Sequence, residues 1–359
     1  MKNWLLFLGL VASTSPIFAQ DSIQEFLNRQ LKSGKIEGIS IAYHKAGKSQ
    51  EYAAGNLDKG TPFFIASTTK LFTTALIFRL ADQGKIGLNE PLSKYLDKSL
   101  IQGIHSYKGQ DYSDSIKVFH LLEQSSGLPD YFSDKGPDGK TMVERLRKSD
   151  FGWTCEDAIQ RTRSMKALFE PGRKGKAHYS DANYQLLGAL IRKMYGKSTA
   201  DAIRDEICIP LKLNQTYLFE LNTKPGRWFL DGKDSLVIPL AMASTDADGG
   251  IVSSSSDLLR FVKAFFGGEL FDKSHVATNQ EYRSIFFPLA YGRGFMKFEL
   301  PAAMTLFKKY PAFYGHSGLS GAFAWYIPEK DLFVAGTVNQ LKDPGLSFNL
   351  LIKMLPLLE

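Results

Sequence analysis

The chain has 359 residues, with 44 Lys and Arg against 37 Asp and Glu and a formal net charge of +7. That length allows one large domain or two smaller ones with sizeable cores. The charges are interspersed without a long basic run, which argues against nucleic acid as a partner, and the six histidines show neither His-Glu-x-x-His nor Cys-x-x-Cys spacing, so no metal or other cofactor is expected.

Met1-Lys2-Asn3, an apolar run from Trp4 to Ala12, and Ile17-Phe18-Ala19 read as a signal peptide, residues 1–19, cut after Ala19. The mature chain, residues 20–359, is then expected to be exported, periplasmic or secreted. No later run is apolar and long enough to insert stably in a membrane, and no Cys follows Ala19 to carry a lipid. Cys155 and Cys208 can pair in an oxidising compartment or stay as two buried thiols.

Residues 22–34 carry an amphipathic helical pattern, 38–44 read as a strand and 49–54 as its hairpin partner. A helix opens at Ser67 and ends near Gly84. Residues 85–230 mix helical patterns with loops. A further helix is expected over 256–266, capped near Ser256 or Asp257. Strands return at 292–298, 321–327 and 332–338, the last two joined by the turn 328–331, and a final helix covers 346–357. Strands near both ends and a helical middle predict one discontinuous domain of the α/β (α+β) class. Its mainly antiparallel α/β lobe comprises about 20–84 and 231–359, its inserted helical lobe about 85–230, and a ligand site falls naturally between them.

Ser67-Thr68-Thr69-Lys70 is the most informative stretch. Residues three apart share a helix face, so Lys70 can reach the Ser67 hydroxyl, and a partly desolvated lysine can take its proton. Tyr179-Ser180-Asp181 stands just before a second helical pattern. A tyrosine near an ammonium can have its phenol proton affinity lowered and shuttle protons, while Asp181 can cap the helix. Gly315-His316-Ser317-Gly318-Leu319 is glycine-rich and leads into a β pattern, where glycines admit close approach of a backbone or ligand.

In this order the three segments resemble the penicillin-recognising serine hydrolases, most of all the class C β-lactamase, DD-peptidase and esterase branch. Further segments match: Leu121-Leu122-Glu123-Gln124-Ser125-Ser126-Gly127-Leu128-Pro129-Asp130, Gly249-Gly250-Ile251-Val252-Ser253 with Asp257-Leu258, Tyr291-Gly292 with Gly294-Phe295, and Tyr326-Ile327-Pro328-Glu329. The resemblance spans about residues 22–358 and implies a β-lactamase/transpeptidase-like fold. It implies that Ser67 is the nucleophile, acylated during turnover, with Lys70 and Tyr179 sharing the proton work. It further implies an oxyanion hole from the backbone N–H groups of Ser67 and Leu319, with Asp181, His316, Ser317 and Gly318 on the substrate side.

Two positions depart from the commonest pattern. Asp181 stands where the family often has Asn; beside Lys70 it can raise the lysine's proton affinity, or it can act only as a cap. His316 replaces the usual Lys, and a largely neutral histidine gives less hold on the carboxylate of penicillins. The implied activity is therefore an exported serine hydrolase acting on an ester or a D-residue-containing peptide, with cell-wall fragments among its substrates. The alternatives are a β-lactamase proper and a non-turnover protein that binds penicillin or cell-wall fragments.

Overall fold

The computed structural model describes residues 22–301, 304 and 310–358; the expected signal peptide lies outside them. Ser22 and Glu25 form a reciprocal capping box that starts helix α1 (Ile23–Leu31), whose Ile23, Phe26 and Leu27 are buried. Strands β1 (Gly38–Lys45) and β2 (Lys48–Gly55) make the expected hairpin. Strand β3 (Phe63–Phe64) leads through a 3₁₀ turn at Ala66–Thr68 into helix α2 (Thr69–Asp82). The middle of the chain contributes helix α3 (Asp181–Tyr195) and strand β4 (Tyr217–Leu218). Strand β5 (Ile251–Ser253) and helix α4 (Ser255–Gly267) follow, the helix capped by Ser254. Strands β6 (Arg283–Phe286), β7 (Leu289–Tyr291), β8 (Met296–Phe298), β9 (Phe313–Ser317), β10 (Ala322–Ile327) and β11 (Leu332–Thr337) precede helix α5 (Leu346–Met354).

The main sheet has eight strands in the order β6-β7-β8-β9-β10-β11-β1-β2, and its pairings are antiparallel. Ser40 of β1 lies opposite Thr337 of β11, so the first hairpin completes a sheet built mostly from the last part of the chain. Period-two alternation divides the strands between two cores. Ile39, Ile41, Phe323, Trp325, Ile327 and Val334 pack with α1 and α5. Ala42, Ala322, Ala324 and Ala335 face the core that holds the buried sides of α2, α3 and α4. The small residues on that face let α4 lie close to the sheet, and the Ser40 and Ser255 hydroxyls meet at 2.6 Å.

Two features differ from the sequence expectation, and a third decides between alternatives it left open. The strand expected over 292–298 is broken by a turn in which Gly292 N–H donates to Phe295 O at 2.9 Å. Gly294 has φ +83°, and a Cβ there would lie 2.2 Å from Thr74 Cγ2 on α2, so the turn is seated against the helix. A small sheet, β3-β5-β4, stands beside the main one; two- and three-residue strands are too short to show a period. Cys155 and Cys208 are both free thiols, and burial pushes Cys155 up to about 11 and Cys208 up to about 12. Among the described residues, no helix is long and apolar enough to cross a membrane.

Gly336 gives the fold a direct test. A Cβ at this position would lie 2.2 Å from the Ser40 carbonyl oxygen on the neighbouring strand. Gly336→Ala should lower stability by about 1–3 kcal/mol through overpacking, measured as a drop in the urea midpoint with an unchanged slope.

Candidate active site

Ser67 lies in the 3₁₀ turn that feeds α2, partly exposed, and its side chain is not used as a cap. The turn is held from both sides by β5: Ile65 N–H donates to Ile251 O at 3.0 Å, and Ile251 N–H donates to Thr69 Oγ1 at 3.1 Å. This gives the Gly249–Ser253 segment its role. Ala66, just before Ser67, has φ +45°, the left-handed region that costs an alanine about 1 kcal/mol or more. Gly318 at the end of β9 backs onto the same turn, since a Cβ there would lie 2.2 Å from Ile65 O. Ser320 Oγ donates to Phe64 O at 2.8 Å, fixing the loop that carries Leu319 beside the turn that carries Ser67.

Lys70 has no exposed surface, and its ammonium has three acceptors for its three N–H groups. It donates to Ser67 Oγ at 3.2 Å and to the Asp248 backbone carbonyl at 2.6 Å, and it lies 2.6 Å from Asp181 Oδ1 as an ion pair. Burial alone would drive the proton off. The charge of the adjoining Asp181 is the largest influence against burial and holds Lys70 well above the usual lysine range. Of the two roles open to Asp181 in sequence, the cap belongs elsewhere: Ser180 is the N-cap of α3, and Asp181 is the first helical residue with its carboxylate turned to Lys70.

The Tyr179 hydroxyl is buried beside Ser67 and Lys70, and Lys70 Nζ lies 5.2 Å from the ring centre. The lysine and Ser67 do favour its ionised form, but burial is larger and raises the phenol well above its ordinary range. The expected lowering is thus reversed, and Tyr179 rests as a neutral phenol.

His316 is fully buried. Its Nδ1 lies 2.7 Å from Ser317 O, a pure acceptor, so this nitrogen carries the proton, and Nε2 accepts from Tyr291 OH at 3.2 Å. Burial first and the Lys70 charge second lower it to about 3, so it is neutral at pH 7. Ser317 is half-buried, Gly318 buried, and Leu319 is 40% exposed.

Several residues that support the site carried no reading of their own in the sequence. Asp248 offers its backbone carbonyl to Lys70, while its buried carboxyl accepts from Tyr131 OH at 2.8 Å and Gln185 Nε2 at 3.0 Å. Asp130 is 1% exposed and accepts from Asp181 N–H at 2.9 Å; burial, then the Asp181 charge, raise it to about 7. Gln124 takes Ser180 N–H at 2.9 Å and Asn183 Nδ2 at 2.6 Å on its side-chain oxygen, so the 121–130 segment cradles the Tyr179 loop. Asp248 adjoins the Gly249-Gly250 motif and Asp130 closes the 121–130 segment, which was the available signal.

The Beta-lactamase family model matches residues 23–352. The chain belongs to the Beta-lactamase family. Its β-lactamase/transpeptidase-like fold superposes on that of D-amino acid amidase from Ochrobactrum anthropi SV3 with a TM-score of 0.74, covering 93% of this chain and 99% of that one at 22% identity. Protein flp of Staphylococcus aureus (strain MW2) is 30% identical over 216 residues, 57% of this chain and 40% of flp. Penicillin-binding protein 4* of Bacillus subtilis (strain 168) is 26% identical over 264 residues, 66% of this chain and 52% of that protein. The alignments thus span about half or less of the length of these relatives. At family level the resemblance read from the three motifs holds: the chain is a Beta-lactamase family member with the β-lactamase/transpeptidase-like fold.

The buried neutral His316 has a consequence for acid stability. An unfolded histidine binds its proton near pH 6.5, whereas the folded one does so near 3. As pH falls through that window the unfolded chain takes up a proton that the folded chain refuses, so stability present above about 6.5 is lost. The melting temperature should fall more steeply between about pH 7 and pH 4 for wild type than for His316→Asn, by scanning calorimetry; parallel curves would contradict the assignment.

Proposed function

We propose that the chain is an exported serine hydrolase that forms an acyl-enzyme on Ser67 and prefers esters, or amides and peptides carrying D-residues, to β-lactams. The observation that carries the preference is His316. At this place the branch commonly has a lysine, but here the side chain is buried, hydrogen-bonded on both nitrogens and uncharged at pH 7. Lys70 is committed to Asp181, so neither residue offers a free cation to a substrate carboxylate. A substrate without a carboxylate at that end loses nothing by this; a penicillin, or a peptide ending in a free D-residue, loses a charge-assisted contact.

In this reading Ser67 Oγ attacks the carbonyl carbon, and the oxygen takes negative charge facing the Ser67 and Leu319 N–H groups. Each such donor removed from comparable sites costs about 3–4 kcal/mol. The neutral phenol of Tyr179 is suited to give a proton to the leaving group, and water then releases the acyl group. One observation favours a second reading, binding without turnover: a lysine held as a full ammonium is no base.

The test is turnover with paired substrates. Purified protein should hydrolyse p-nitrophenyl acetate or a D-alanine amide with kcat/KM at least about tenfold above that for penicillin G, and Ser67→Ala should abolish it. Lys70→Ala and Tyr179→Phe should each lose about 100-fold or more, with the melting temperature kept near wild type for Tyr179→Phe and lowered for Lys70→Ala, which leaves the Asp181 carboxylate without its partner. Reversible binding of penicillin without hydrolysis of any of these compounds would establish the second reading instead.

A further inference from the structure

The resting charges around Ser67 leave a chemical gap. To attack, Ser67 must lose a proton, but its neighbour Lys70 already carries three protons and makes three contacts. Tyr179 rests as a phenol. His316 Nε2 is buried against the Tyr291 hydroxyl. The Asp248 carboxyl is occupied by Tyr131 and Gln185, and that of Asp130 by backbone N–H groups. Asp181 is different. Its Oδ1 is buried, has no partner besides Lys70, and lies 2.6 Å from the Lys70 ammonium.

We propose that Asp181 is the proton acceptor of the acylation step, taking one proton from Lys70 as Lys70 takes another from Ser67. The inference rests on the serine-hydrolase reading above. The Ser67 Oγ–H bond breaks toward Lys70 Nζ while Oγ bonds to the carbonyl carbon and the carbonyl electron pair moves to oxygen. A Lys70 N–H proton passes to Asp181 Oδ1. The site begins with one positive and one negative charge, and ends with ammonium, neutral carboxylic acid and oxyanion, so charge is conserved. When the tetrahedral species collapses, the leaving group takes the departing electron pair and the Tyr179 phenol proton, and Asp181 returns its own proton through Lys70 to the phenolate, which restores the resting site. An ion pair in low dielectric can exchange its proton without creating net charge, which a neutral amide at this position cannot do. Asp181 acts through Lys70 and is thus a positioning and proton-holding residue rather than one that touches substrate.

The groups facing this pair are Tyr179 before α3, Tyr184 on α3 over the ammonium, Asp248 and Tyr131 beneath it, Asp130 behind the Asp181 N–H, and His316 on β9. The experiment measures the p-nitrophenol burst against pH for wild type, Asp181→Asn and Ser67→Ala, with folding checked by circular dichroism. Wild-type acylation should be flat from about pH 5 to 9, while Asp181→Asn, whose buried lysine must lose a proton to bulk solvent before it can act, should slow as pH falls through that loss and level off above it. An Asp181→Asn rate as flat over this range as that of wild type, or slowed by one factor at every pH, overturns the proposal. Should that variant not fold, wild type alone decides: a rate climbing about tenfold per pH unit over the same range shows Lys70 deprotonating to solvent and overturns it too. A burst absent from wild type, or kept in Ser67→Ala, defeats the hydrolase reading and this inference with it, whereas a Ser67-dependent burst indifferent to Asp181 defeats the inference alone.

Discussion

A lysine ammonium with no exposed surface costs several kcal/mol unless acceptors surround it. Much of this fold can be understood as the supply of those acceptors. Ser67 comes from the turn before α2, the Asp248 carbonyl from the short helix before β5, and the Asp181 carboxylate from the first residue of α3. These segments are up to 181 residues from one another along the chain, between Ser67 and Asp248 (248 − 67). Each is fixed by a further layer: β5 clamps the Ser67 turn, Tyr131 and Gln185 hold Asp248, and Asp130 holds the backbone of Asp181. Removing one acceptor leaves a buried charge short of a partner, which is why the site and the stability of the helical layer are not separable.

The same constraint bears on the third motif in this chain, where His316 is fully buried. A second cation at the His316 position would be buried within reach of the Lys70 charge, and like charges in a low-dielectric site repel strongly. A neutral imidazole avoids this, and its two nitrogens are satisfied by one backbone carbonyl and one tyrosine hydroxyl. That hydroxyl also meets Tyr184 at 3.0 Å, and Tyr184 meets Thr74 on α2 at 3.2 Å, so a polar thread runs from β9 across β7 to the helix that carries Lys70. The thread links the sheet to the helical layer beside Lys70.

Sequence made much of this visible, for reasons that can be named. The i to i+3 spacing of Ser67 and Lys70 fixes their shared face, and the glycine at 318 signalled a close approach that the Ile65 carbonyl now accounts for. Period-two runs located β1, β2, β10 and β11. What stayed hidden depends on burial or on backbone atoms. The acceptor given by Asp248 is a carbonyl, which every residue possesses, so no residue type marks it. The direction of the Tyr179 shift turned on desolvation, which a pattern of residues does not measure. Spacing could not choose between a cap and an ion pair for Asp181, because both place it at the start of α3.

The measurement that tests the account most directly is the protonation of Lys70 in the resting protein. Lysine labelled with ¹³C at Cε and ¹⁵N at Nζ, with Lys70 assigned through Lys70→Arg, reports the ammonium by NMR as pH is raised. A signal that remains ammonium beyond about pH 10 is the predicted result, since the carboxylate partner holds the proton on. A Lys70 that is already a neutral amine at pH 7 would contradict the account, for Asp181 would then not be its ion-pair partner.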